Sequence, residues 1–234
     1  MIEKIVINLK DRKLVGLLHE TSSSPFCVIA SHGLFSSKDS EKFSEIAESF
    51  SAHGFNLLRF DHSGCGESSG RIEETTVTKR LEELTAFFQW TWNNLTKAIA
   101  LLGSSMGAFI SLVLACRDPR VMGAVGIATP AYFRGAKERL LNEDEPTLNE
   151  EFFIDAKRYN LLKEIKGLKN VFLIHGGKDE LVPVEQAEEI YGLLEEPKRL
   201  LILPEGDHRL SDPSIRKQAI ESSIDWFRLI FKKQ

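Results

Sequence analysis

Apolar residues follow two alternating patterns along most of the chain, short continuous runs and longer segments with helical spacing. The continuous runs occupy residues 26–30, 55–60, 98–102, 121–128, 171–175 and 199–203, and the helical segments occupy residues 41–53, 78–93, 108–116, 183–194 and 213–231. Continuous apolar runs are typical of strands that helices cover on both faces. Because strands that alternate with helices pair in parallel, the pattern predicts an α/β fold with a doubly wound, mostly parallel sheet.

The first residues follow a different pattern, in which apolar and polar side chains alternate. This alternation covers residues 2–9 and 13–19, and the turn residues Lys10, Asp11 and Arg12 separate the two stretches. Alternation with a period of two is typical of half-buried strands. We therefore expect an antiparallel hairpin at the start of the chain.

One long segment, between Thr129 and Asn170, contains no convincing strand. Segments of this length without regular structure are uncommon inside a compact domain and are often functional. One interpretation is an ordinary crossover helix at residues 151–165, preceded by a surface excursion. The other is a small cap, residues 130–166, inserted into a single domain that spans residues 1–234, with aromatic residues of the cap facing a substrate.

Composition and charge agree with one globular domain and narrow the classes of partner. The 234 residues are 42% hydrophobic and 27% charged, which is typical of globular rather than disordered chains. The 30 basic and 34 acidic residues give a net charge of -4 and are spread along the chain. We therefore expect neither nucleic acid nor an anionic membrane surface as a partner.

The sequence also predicts a cytoplasmic protein. The first residues lack the apolar core of a signal peptide, and no run approaches the roughly 18 apolar residues that span a bilayer. The cysteines stand at positions 27, 65 and 116, an odd number without the spacing of a metal site. This pattern is typical of reduced thiols in a cytoplasmic protein.

The turn between the run at 98–102 and the helical segment at 108–116 contains Gly103, Ser105 and Gly107. Gly-x-Ser-x-Gly between a strand and a helix is typical of a nucleophile elbow, in which a strained backbone presents the serine and small neighbours let strand and helix approach. Glycine-rich turns are also common in α/β proteins, so the motif alone is ambiguous. In this strand-turn-helix setting, Ser105 is the candidate nucleophile and the Met106 N–H a candidate donor to an oxyanion.

A serine nucleophile needs a histidine that takes its proton and a carboxylate that orients the histidine. His208 follows the last apolar run, in a loop that opens at the carboxyl edge of the predicted sheet, as the elbow does. Asp179 follows the preceding run and opens on the same edge. We therefore expect His208 to be the general base and Asp179 to orient it. Glu180 and Asp207 are alternative carboxylates.

The loop after the run at 26–30 is the candidate for the second half of an oxyanion hole. It carries His32, Gly33 and Leu34, and the glycine permits a close approach of the backbone. We expect the Leu34 N–H to be the second donor and His32 to hold the loop by hydrogen bonds rather than to react. The candidates for substrate contact are Phe35, Tyr132, Phe133 and Val182.

Together these motifs resemble the α/β-hydrolase superfamily over nearly the whole chain. The matching residues are His32-Gly33-Leu34, Asp61-x-x-Gly64-x-Gly66-x-Ser68-x-Gly70, Gly103-x-Ser105-x-Gly107, Asp179 with Val182-Pro183, and Gly206-Asp207-His208. The stretch His-Gly-Leu-Phe-Ser-Ser-Lys-Asp from residue 32, with Lys42 and Phe43, is similar to bacterial carboxylesterases of the cinnamoyl and feruloyl esterase group and to small monoacylglycerol-lipase-like enzymes.

This resemblance implies a small-molecule ester substrate with a short-to-medium acyl or an aryl group, and no cofactor. Two residues depart from the pattern of those enzymes. Cys65 stands where relatives usually carry histidine, and Leu34 stands where the cinnamoyl esterases usually carry phenylalanine. The second departure weakens the aryl-ester assignment but leaves the chemistry intact, because the expected donor is a backbone N–H.

Three functions agree with these residues. The first is a carboxylesterase-type serine hydrolase that cleaves its ester through an acyl-enzyme. The second is hydrolysis of thioesters or amides by the same triad; a basic rim for the phosphates of coenzyme A would favour it, and no basic cluster flanks the motif loops in the sequence. The third is a non-catalytic ligand-binding protein on this fold, although the chain retains candidates for all triad members.

The resemblance also bears on the oligomeric state. Because some cap-bearing relatives dimerise, a homodimer is possible for this chain.

Overall fold

The computed structural model describes residues 1–9, 11–21, 24–133 and 148–232. Eight strands in these residues form one sheet: β1 (Ile2–Leu9), β2 (Arg12–His19), β3 (Phe26–Ser31), β4 (Asn56–Asp61), β5 (Ala98–Ser104), β6 (Val121–Ile127), β7 (Val171–Gly176) and β8 (Lys198–Leu203). The strands lie in the order β1-β2-β4-β3-β5-β6-β7-β8. The pairs β1-β2 and β2-β4 are antiparallel, and every other pair is parallel. The predicted hairpin and the mostly parallel sheet are both confirmed.

Helices cover both faces of this sheet. The described residues contain α1 (Glu41–Ala52), α2 (Val77–Asn94), α3 (Met106–Arg117), α4 (Glu150–Ala156), α5 (Leu161–Glu164), α6 (Val184–Leu193) and α7 (Pro213–Phe231), with a short 3-10 helix at Ile72–Glu74. Helices α1 and α7 bury their apolar stripes in one hydrophobic cluster, and α2, α3 and α6 bury theirs in another. The sheet therefore lies between two cores, as expected from its continuous apolar strands.

The register of the parallel strands aligns their carboxyl ends at one edge. Ser31 at the end of β3 lies opposite Gly103 of β5, and Ser104 lies opposite Ile127 of β6. At the other side of the sheet, Gly176 of β7 lies opposite Leu203 of β8. The loops after β3, β5, β7 and β8, which carry the candidate residues, therefore open on the same edge.

The turn from β5 into α3 brings two stretches of backbone into direct contact. A Cβ atom added to Gly107 would lie 2.0 Å from the carbonyl oxygen of Ser31, and one added to Gly103 would lie 2.3 Å from the carbonyl carbon of Gly107. Any side chain at either position would have to displace backbone atoms. Both glycines are therefore required by the close approach of β3, β5 and α3.

The segment between β6 and β7 does not form the single crossover helix of the first interpretation. Two short helices, α4 and α5, replace the single crossover helix expected at residues 151–165. At the start of α5 the Leu161 N–H donates to the Ala131 carbonyl (3.2 Å) and not to an acceptor one turn back, while the Asp155 side chain attaches α4 to α2 by accepting from the Thr78 N–H (2.8 Å) and hydroxyl (2.7 Å). Residues 134–147 lie outside the described residues, so the cap at 130–166 stays a prediction.

Neither a membrane-spanning helix nor a disulfide is found in the described residues. Among the helices in the described ranges, none combines the length and the apolarity needed to cross a membrane. The thiols of Cys27, Cys65 and Cys116 are free, and Cys27 and Cys65 are buried.

We expect the substitution Gly107→Ala to destabilise the protein by about 3 kcal/mol or more, because its Cβ atom would overlap the Ser31 carbonyl group. Gly192→Ala in α6 is the matched control, since a Cβ atom there would meet no atom within 4 Å. Alanine favours a helix over glycine, so the control should be unchanged or more stable by up to about 1 kcal/mol. Urea unfolding of the two variants measures both values, and equal stabilities would contradict the packing argument.

Candidate active site

Ser105 lies at the tip of the turn between β5 and α3 in a strained conformation. Its backbone dihedrals are φ 56° and ψ -120°, in a region that non-glycine residues rarely adopt. Hydrogen bonds hold this conformation on both sides: the Ser105 N–H donates to the Ile127 carbonyl (2.8 Å), and the Phe109 N–H donates to the Ser105 carbonyl (3.0 Å). The result is a serine held at the start of a helix and at the carboxyl edge of the sheet.

His208 lies in the loop after β8 and connects Ser105 with Asp179. Its Nε2 atom is 3.0 Å from the Ser105 Oγ atom, and its Nδ1 atom is 2.9 Å from each carboxylate oxygen of Asp179. The structure therefore brings together the three residues that the sequence assigned to a triad, which lie on the loops after β5, β7 and β8. The hydrogen-bonded order is Ser105, His208, Asp179.

Asp179 is held in place as an ionised acceptor. Its Oδ1 atom accepts hydrogen bonds from the N–H groups of Leu181 (2.9 Å) and Val182 (2.7 Å). Burial alone would raise the pKa of this carboxyl group, but the hydrogen bonds from His175, His208 and the Val182 backbone lower the pKa well below its usual value. A carboxylate can only accept, so the proton of the imidazole lies on Nδ1 and Nε2 is left as an acceptor for the Ser105 hydroxyl.

His175 is a second partner of the Asp179 carboxylate. It is fully buried at the end of β7, and its Nε2 atom lies 3.2 Å from Asp179 Oδ2 and 2.9 Å from the Val182 carbonyl oxygen. The contact of His175 with the carboxylate was not predicted from the sequence. A usable signal was present, since His175 and Asp179 are separated only by the turn Gly176-Gly177-Lys178.

The alternative carboxylates contact the histidine loop without contacting the imidazole. Glu180 accepts a hydrogen bond from the backbone N–H of His208 (3.2 Å), and Asp207 accepts one from the N–H of Ser211 (2.8 Å). Both therefore bind backbone groups around His208. Of the three carboxylates considered from the sequence, Asp179 is the one that the structure places at Nδ1.

The loop after β3 lies beside the Ser105 hydroxyl. A Cβ atom built on Gly33 would be 3.9 Å from Ser105 Oγ, which places the backbone of Gly33 and Leu34 next to that oxygen. Neither the Leu34 N–H nor the Met106 N–H donates to an acceptor in the parts of the chain that the structure describes. Both N–H groups are thus available at the two positions where the sequence predicted oxyanion donors.

Two buried side chains hold this loop through the carbonyl oxygen of Gly33. His32 Nδ1 lies 2.7 Å from it, and Arg80 Nη1 donates to it at 3.1 Å. The His62 N–H donates to His32 Nε2 (3.0 Å), so Nδ1 is the protonated nitrogen of His32 and donates to Gly33. Because the carbonyl of Gly33 and the N–H of Leu34 belong to one planar peptide, these bonds also fix the direction of that N–H.

Arg80 was not among the residues predicted from the sequence. It lies in α2 among the buried residues Val77, Leu84 and Phe87, and its side chain is itself fully buried. An arginine on the apolar stripe of an amphipathic helix was a signal that could have been used. Its guanidinium also donates to the Thr75 hydroxyl (3.0 Å) and to Cys65 Sγ (3.8 Å). Cys65, which stands where relatives usually carry histidine, therefore belongs to the same hydrogen-bond network.

The glycine-rich loop after β4 is organised by Asp61. The Asp61 carboxylate is fully buried and accepts from the N–H groups of Lys38 (2.7 Å) and Glu67 (2.9 Å). It also lies 3.0 Å from the Lys38 ammonium group. Asp61 therefore joins this loop to the loop after β3 and takes a structural position beside the site.

A cavity of about 660 Å³ opens at Ser105 and His208. Its walls come from the loop after β3, from the start of α1 and from the histidine loop. The lining residues are Gly33, Leu34, Phe35, Ser36, Ser37, Ser40, Glu41, Lys42, Phe43, Ser104, Ser105, Leu181, His208, Arg209, Ser211 and Arg216. The cavity is large enough for a small organic substrate.

Of the four predicted substrate contacts, the structure places Phe35 on the wall of this cavity. Phe133 packs instead against Phe109, with ring centroids 4.7 Å apart. Tyr132 packs against the same hydrophobic core, and Val182 holds Asp179 and His175 through its backbone. The structure adds Leu181 as an apolar wall residue that sequence analysis did not name.

The cavity also gathers basic residues that are far apart in the sequence. Lys42, Arg209 and Arg216 line it, whereas the sequence shows no basic cluster beside the motif loops. The difference arises because α1 and the start of α7 meet at the cavity only in the folded chain. No group of histidine, cysteine and carboxylate side chains within the described ranges has the arrangement of a metal site.

The fold and the hydrogen-bonded serine, histidine and aspartate define the class of α/β hydrolases. Residues 24–142, about half of the chain, match the family described as serine aminopeptidase S33, and the chain belongs to this family.

Two curated relatives extend the comparison. The uncharacterised protein YfhR of Escherichia coli O157:H7 is 26% identical over 156 residues, which cover 66% of this chain and 53% of YfhR. The palmitoyl-protein thioesterase ABHD10 of Mus musculus is 26% identical over 204 residues, covering 77% of this chain and 68% of that protein. The chain thus spans about half the length of the YfhR relatives that it matches.

Solved structures agree with the fold. ABHD10 from mouse superposes with a TM-score of 0.82 at 24% identity, covering 99% of this chain and 100% of the other. Est1E from Butyrivibrio proteoclasticus, solved with bound ferulic acid, has a TM-score of 0.82 at 16% identity, covering 96% of this chain and 99% of the other. The resemblance to the α/β-hydrolase superfamily is confirmed.

We expect Asp179→Asn to lower the free energy of unfolding by about 1–3 kcal/mol at pH 7, because it removes a buried charge that two imidazoles and two N–H groups bind. The pKa of Asp179 is lowered in the folded protein, so its stabilisation is complete above the unfolded pKa of roughly 4 and is lost as the pH falls further. The difference between wild type and variant should therefore shrink below about pH 4.

Urea unfolding at pH 7, 5 and 3.5 measures this difference. The control is Asp225→Asn on the exposed side of α7, which should change the unfolding free energy by less than about 0.5 kcal/mol. A difference for Asp179→Asn that stays constant from pH 7 to 3.5 would show that the carboxylate is not held in its charged form.

Proposed function

We propose that this protein is a serine hydrolase that cleaves carboxylic esters with a short-to-medium acyl or an aryl group through an acyl-enzyme. The observation that carries this proposal is the hydrogen-bonded chain from Ser105 Oγ through His208 to Asp179, with contacts of 3.0 and 2.9 Å. Membership of the hydrolase family and the free N–H groups beside Ser105 support it.

In the first step, the Ser105 hydroxyl attacks the ester carbonyl carbon while His208 Nε2 takes its proton. Asp179 holds the Nδ1–H and stabilises the imidazolium that forms. A new C–O bond joins Ser105 to the carbonyl carbon, and the π electrons of the carbonyl move to its oxygen. His208 then gives the proton to the leaving alcohol as the tetrahedral intermediate collapses.

The negative charge on the carbonyl oxygen needs donors that are in place before the reaction. The candidates are the N–H groups of Leu34, in the loop after β3 that lies beside Ser105, and of Met106, the first residue of α3. Donors held by the backbone need no reorganisation during the reaction, and the loss of one typically costs about 10²–10³ in turnover. The positive end of α3 adds to this stabilisation.

In the second half of the reaction, water attacks the acyl-enzyme by the same route. His208 takes a proton from the water, and the Ser105 oxygen leaves with the proton that His208 returns. No redox step or additional reactant enters this cycle. The products are the alcohol and the carboxylic acid of the ester.

A second candidate, thioester hydrolysis, is favoured by two observations: the basic residues Lys42, Arg209 and Arg216 line the cavity, and the chain is similar to ABHD10, which is named as a palmitoyl-protein thioesterase. The same nucleophile and base can attack a thioester or an amide carbonyl, so the shape and charge of the pocket select the substrate. A non-catalytic binding protein on this fold is disfavoured, because the triad residues are not only present but in hydrogen-bond contact.

We predict that Ser105→Ala lowers the turnover of a p-nitrophenyl ester by at least ~10³-fold while circular dichroism and melting temperature stay close to those of the wild type. The same variant should lose covalent labelling by a fluorophosphonate probe. The control is Ser222→Ala on α7, whose hydroxyl lies outside the cavity and should be dispensable. Retained activity in Ser105→Ala would disprove the assignment of the nucleophile.

A panel of acyl and aryl esters graded by chain length, assayed beside acyl-coenzyme A thioesters, tests the substrate class. We expect higher kcat/KM for short and medium esters than for thioesters of the same acyl chain, because the cavity of about 660 Å³ holds a ligand of modest size. A higher kcat/KM for the thioesters would assign the protein to that class instead. A wild-type protein that neither turns over any substrate nor labels with fluorophosphonate would be a binding protein.

A further inference from the structure

The cavity beside Ser105 contains a cation that the proposed reaction does not use, the ammonium group of Lys42. Lys42 Nζ donates hydrogen bonds to Ser104 Oγ (3.0 Å) and to the Arg209 carbonyl oxygen (3.0 Å). Ser104 and Arg209 are the direct chain neighbours of Ser105 and His208. The ammonium group is therefore fixed between the nucleophile elbow and the histidine loop.

Within the described residues, the charge of Lys42 has no carboxylate partner in direct contact. Both of its acceptors are neutral oxygens, and no carboxylate of the described residues lies within salt-bridge distance of Nζ. Arg216, in the same cavity, differs in this respect, because it binds Glu45 with two contacts of 2.6 and 2.7 Å and Glu41 with one of 3.2 Å. In the part of the chain that the structure describes, carboxylates in direct contact compensate the charge of Arg216, whereas Lys42 has no such contact.

Burial lowers the pKa of Lys42 to about 8, and the positive charges of Arg216 and Arg209 act in the same direction. The carboxylates of Asp207 and Asp179 oppose this change from a greater distance. Lys42 is half-buried, and a partly desolvated cation with no counter-ion in direct contact among the described residues costs free energy; an anion that enters the cavity recovers part of that cost. The two hydrogen bonds also fix the side chain in advance, so little rotamer entropy is lost when a ligand binds.

We propose that the preferred substrate is an ester with a second, anionic group, a carboxylate or a phosphate, and that Lys42 binds this group while Ser105 attacks the ester carbonyl. This inference rests on the proposed function and adds the charge of the substrate to it. The role of Lys42 is electrostatic recognition, which distinguishes esters by their charge rather than by the length of the acyl chain.

Two pairs of esters, each a carboxylate and its neutral methyl ester, test this inference when cleavage is followed by release of the phenol. In the first pair the charge lies on the leaving group: 4-acetoxybenzoate and its methyl ester. In the second pair it lies on the acyl group: mono-4-nitrophenyl adipate and its methyl ester. The measured quantity is the ratio of kcat/KM for the charged ester to kcat/KM for its neutral partner.

The wild type should prefer the charged ester of at least one pair by about tenfold, and Lys42→Gln should bring that ratio close to one. Lys42→Arg should retain the preference because it keeps the charge. Lys217→Gln, which makes the same change on an exposed part of α7, should behave as the wild type. If Lys42 served only to join the two loops, Lys42→Gln would lower kcat/KM for both members of a pair equally and leave the ratio unchanged.

The pH dependence of the ratio gives a second readout. Both esters of a pair use the same Ser105 and His208, so titration of the triad cancels in the ratio. The groups around the ammonium do not titrate near pH 8, because the pKa values of Asp179 and Asp207 are lowered and arginine stays protonated. The preference should therefore fall in the wild type between pH 7 and 9 and persist over that range in Lys42→Arg.

Failure of this inference can be distinguished from failure of the proposed function. Hydrolysis of the neutral esters with a ratio near one, the same in wild type and Lys42→Gln, would overturn the anionic subsite and leave the esterase proposal intact. If the wild type hydrolyses no ester, the proposed function is wrong, and calorimetric binding of 4-acetoxybenzoate and its methyl ester decides on the subsite. Preference for the charged compound that Lys42→Gln abolishes would support the subsite, and equal binding would overturn it.

Discussion

The contact between the backbone at the end of β3 and the first turn of α3 is the constraint on which the candidate site depends. The two stretches are so close at Gly107 that a single added carbon atom would lie 2.0 Å from the Ser31 carbonyl oxygen. This contact places the loop of Gly33 and Leu34 beside Ser105. The proposed oxyanion donors, the N–H groups of Leu34 and Met106, therefore come from two different elements of the fold. Distances between backbone atoms vary less than those between flexible side chains, which suits a site that must be arranged before substrate arrives.

Buried polar side chains hold the loop after β3 in this position. His32 and His62 are fully buried, and burial lowers the pKa values of both imidazoles, so each is neutral and has one donor and one acceptor nitrogen. His62 continues the chain of hydrogen bonds to Glu83 (2.7 Å), whose pKa burial raises. Arg80 adds a buried cation that lies on the Gly33 carbonyl. The loop is thereby held by bonds that are shielded from water, which strengthens each of them.

The sequence was sufficient for the sheet and for the three triad positions, because both follow from patterns that repeat or from topology. Continuous apolar runs defined six of the strands, and the rule that parallel strands end on one edge placed Ser105, His208 and Asp179 together. Other contacts depend on distances that no local pattern encodes. Lys42 reaches partners 62 and 167 positions away, and the single helix expected at residues 151–165 is interrupted before Leu161, whose N–H binds the Ala131 carbonyl. For Lys42 and Arg80 the fold decides the partners of a side chain on a helix that the sequence predicts, and for residues 151–165 it decides the local structure itself.

The order of residues across four neighbouring strands has a consequence for work with the purified protein. Ser104 lies opposite Ile127, Ile127 opposite Ile174, and Ile174 opposite Leu201, so the elbow and the histidine loop are joined through three consecutive pairings. A slip of one residue in any of them would shift a loop by roughly 3.3 Å and turn its side chains to the other face. Misaligned molecules would retain their secondary structure by circular dichroism yet lack the contact between hydroxyl and imidazole. The specific activity of a refolded sample would therefore count the molecules whose strands have paired in the native alignment.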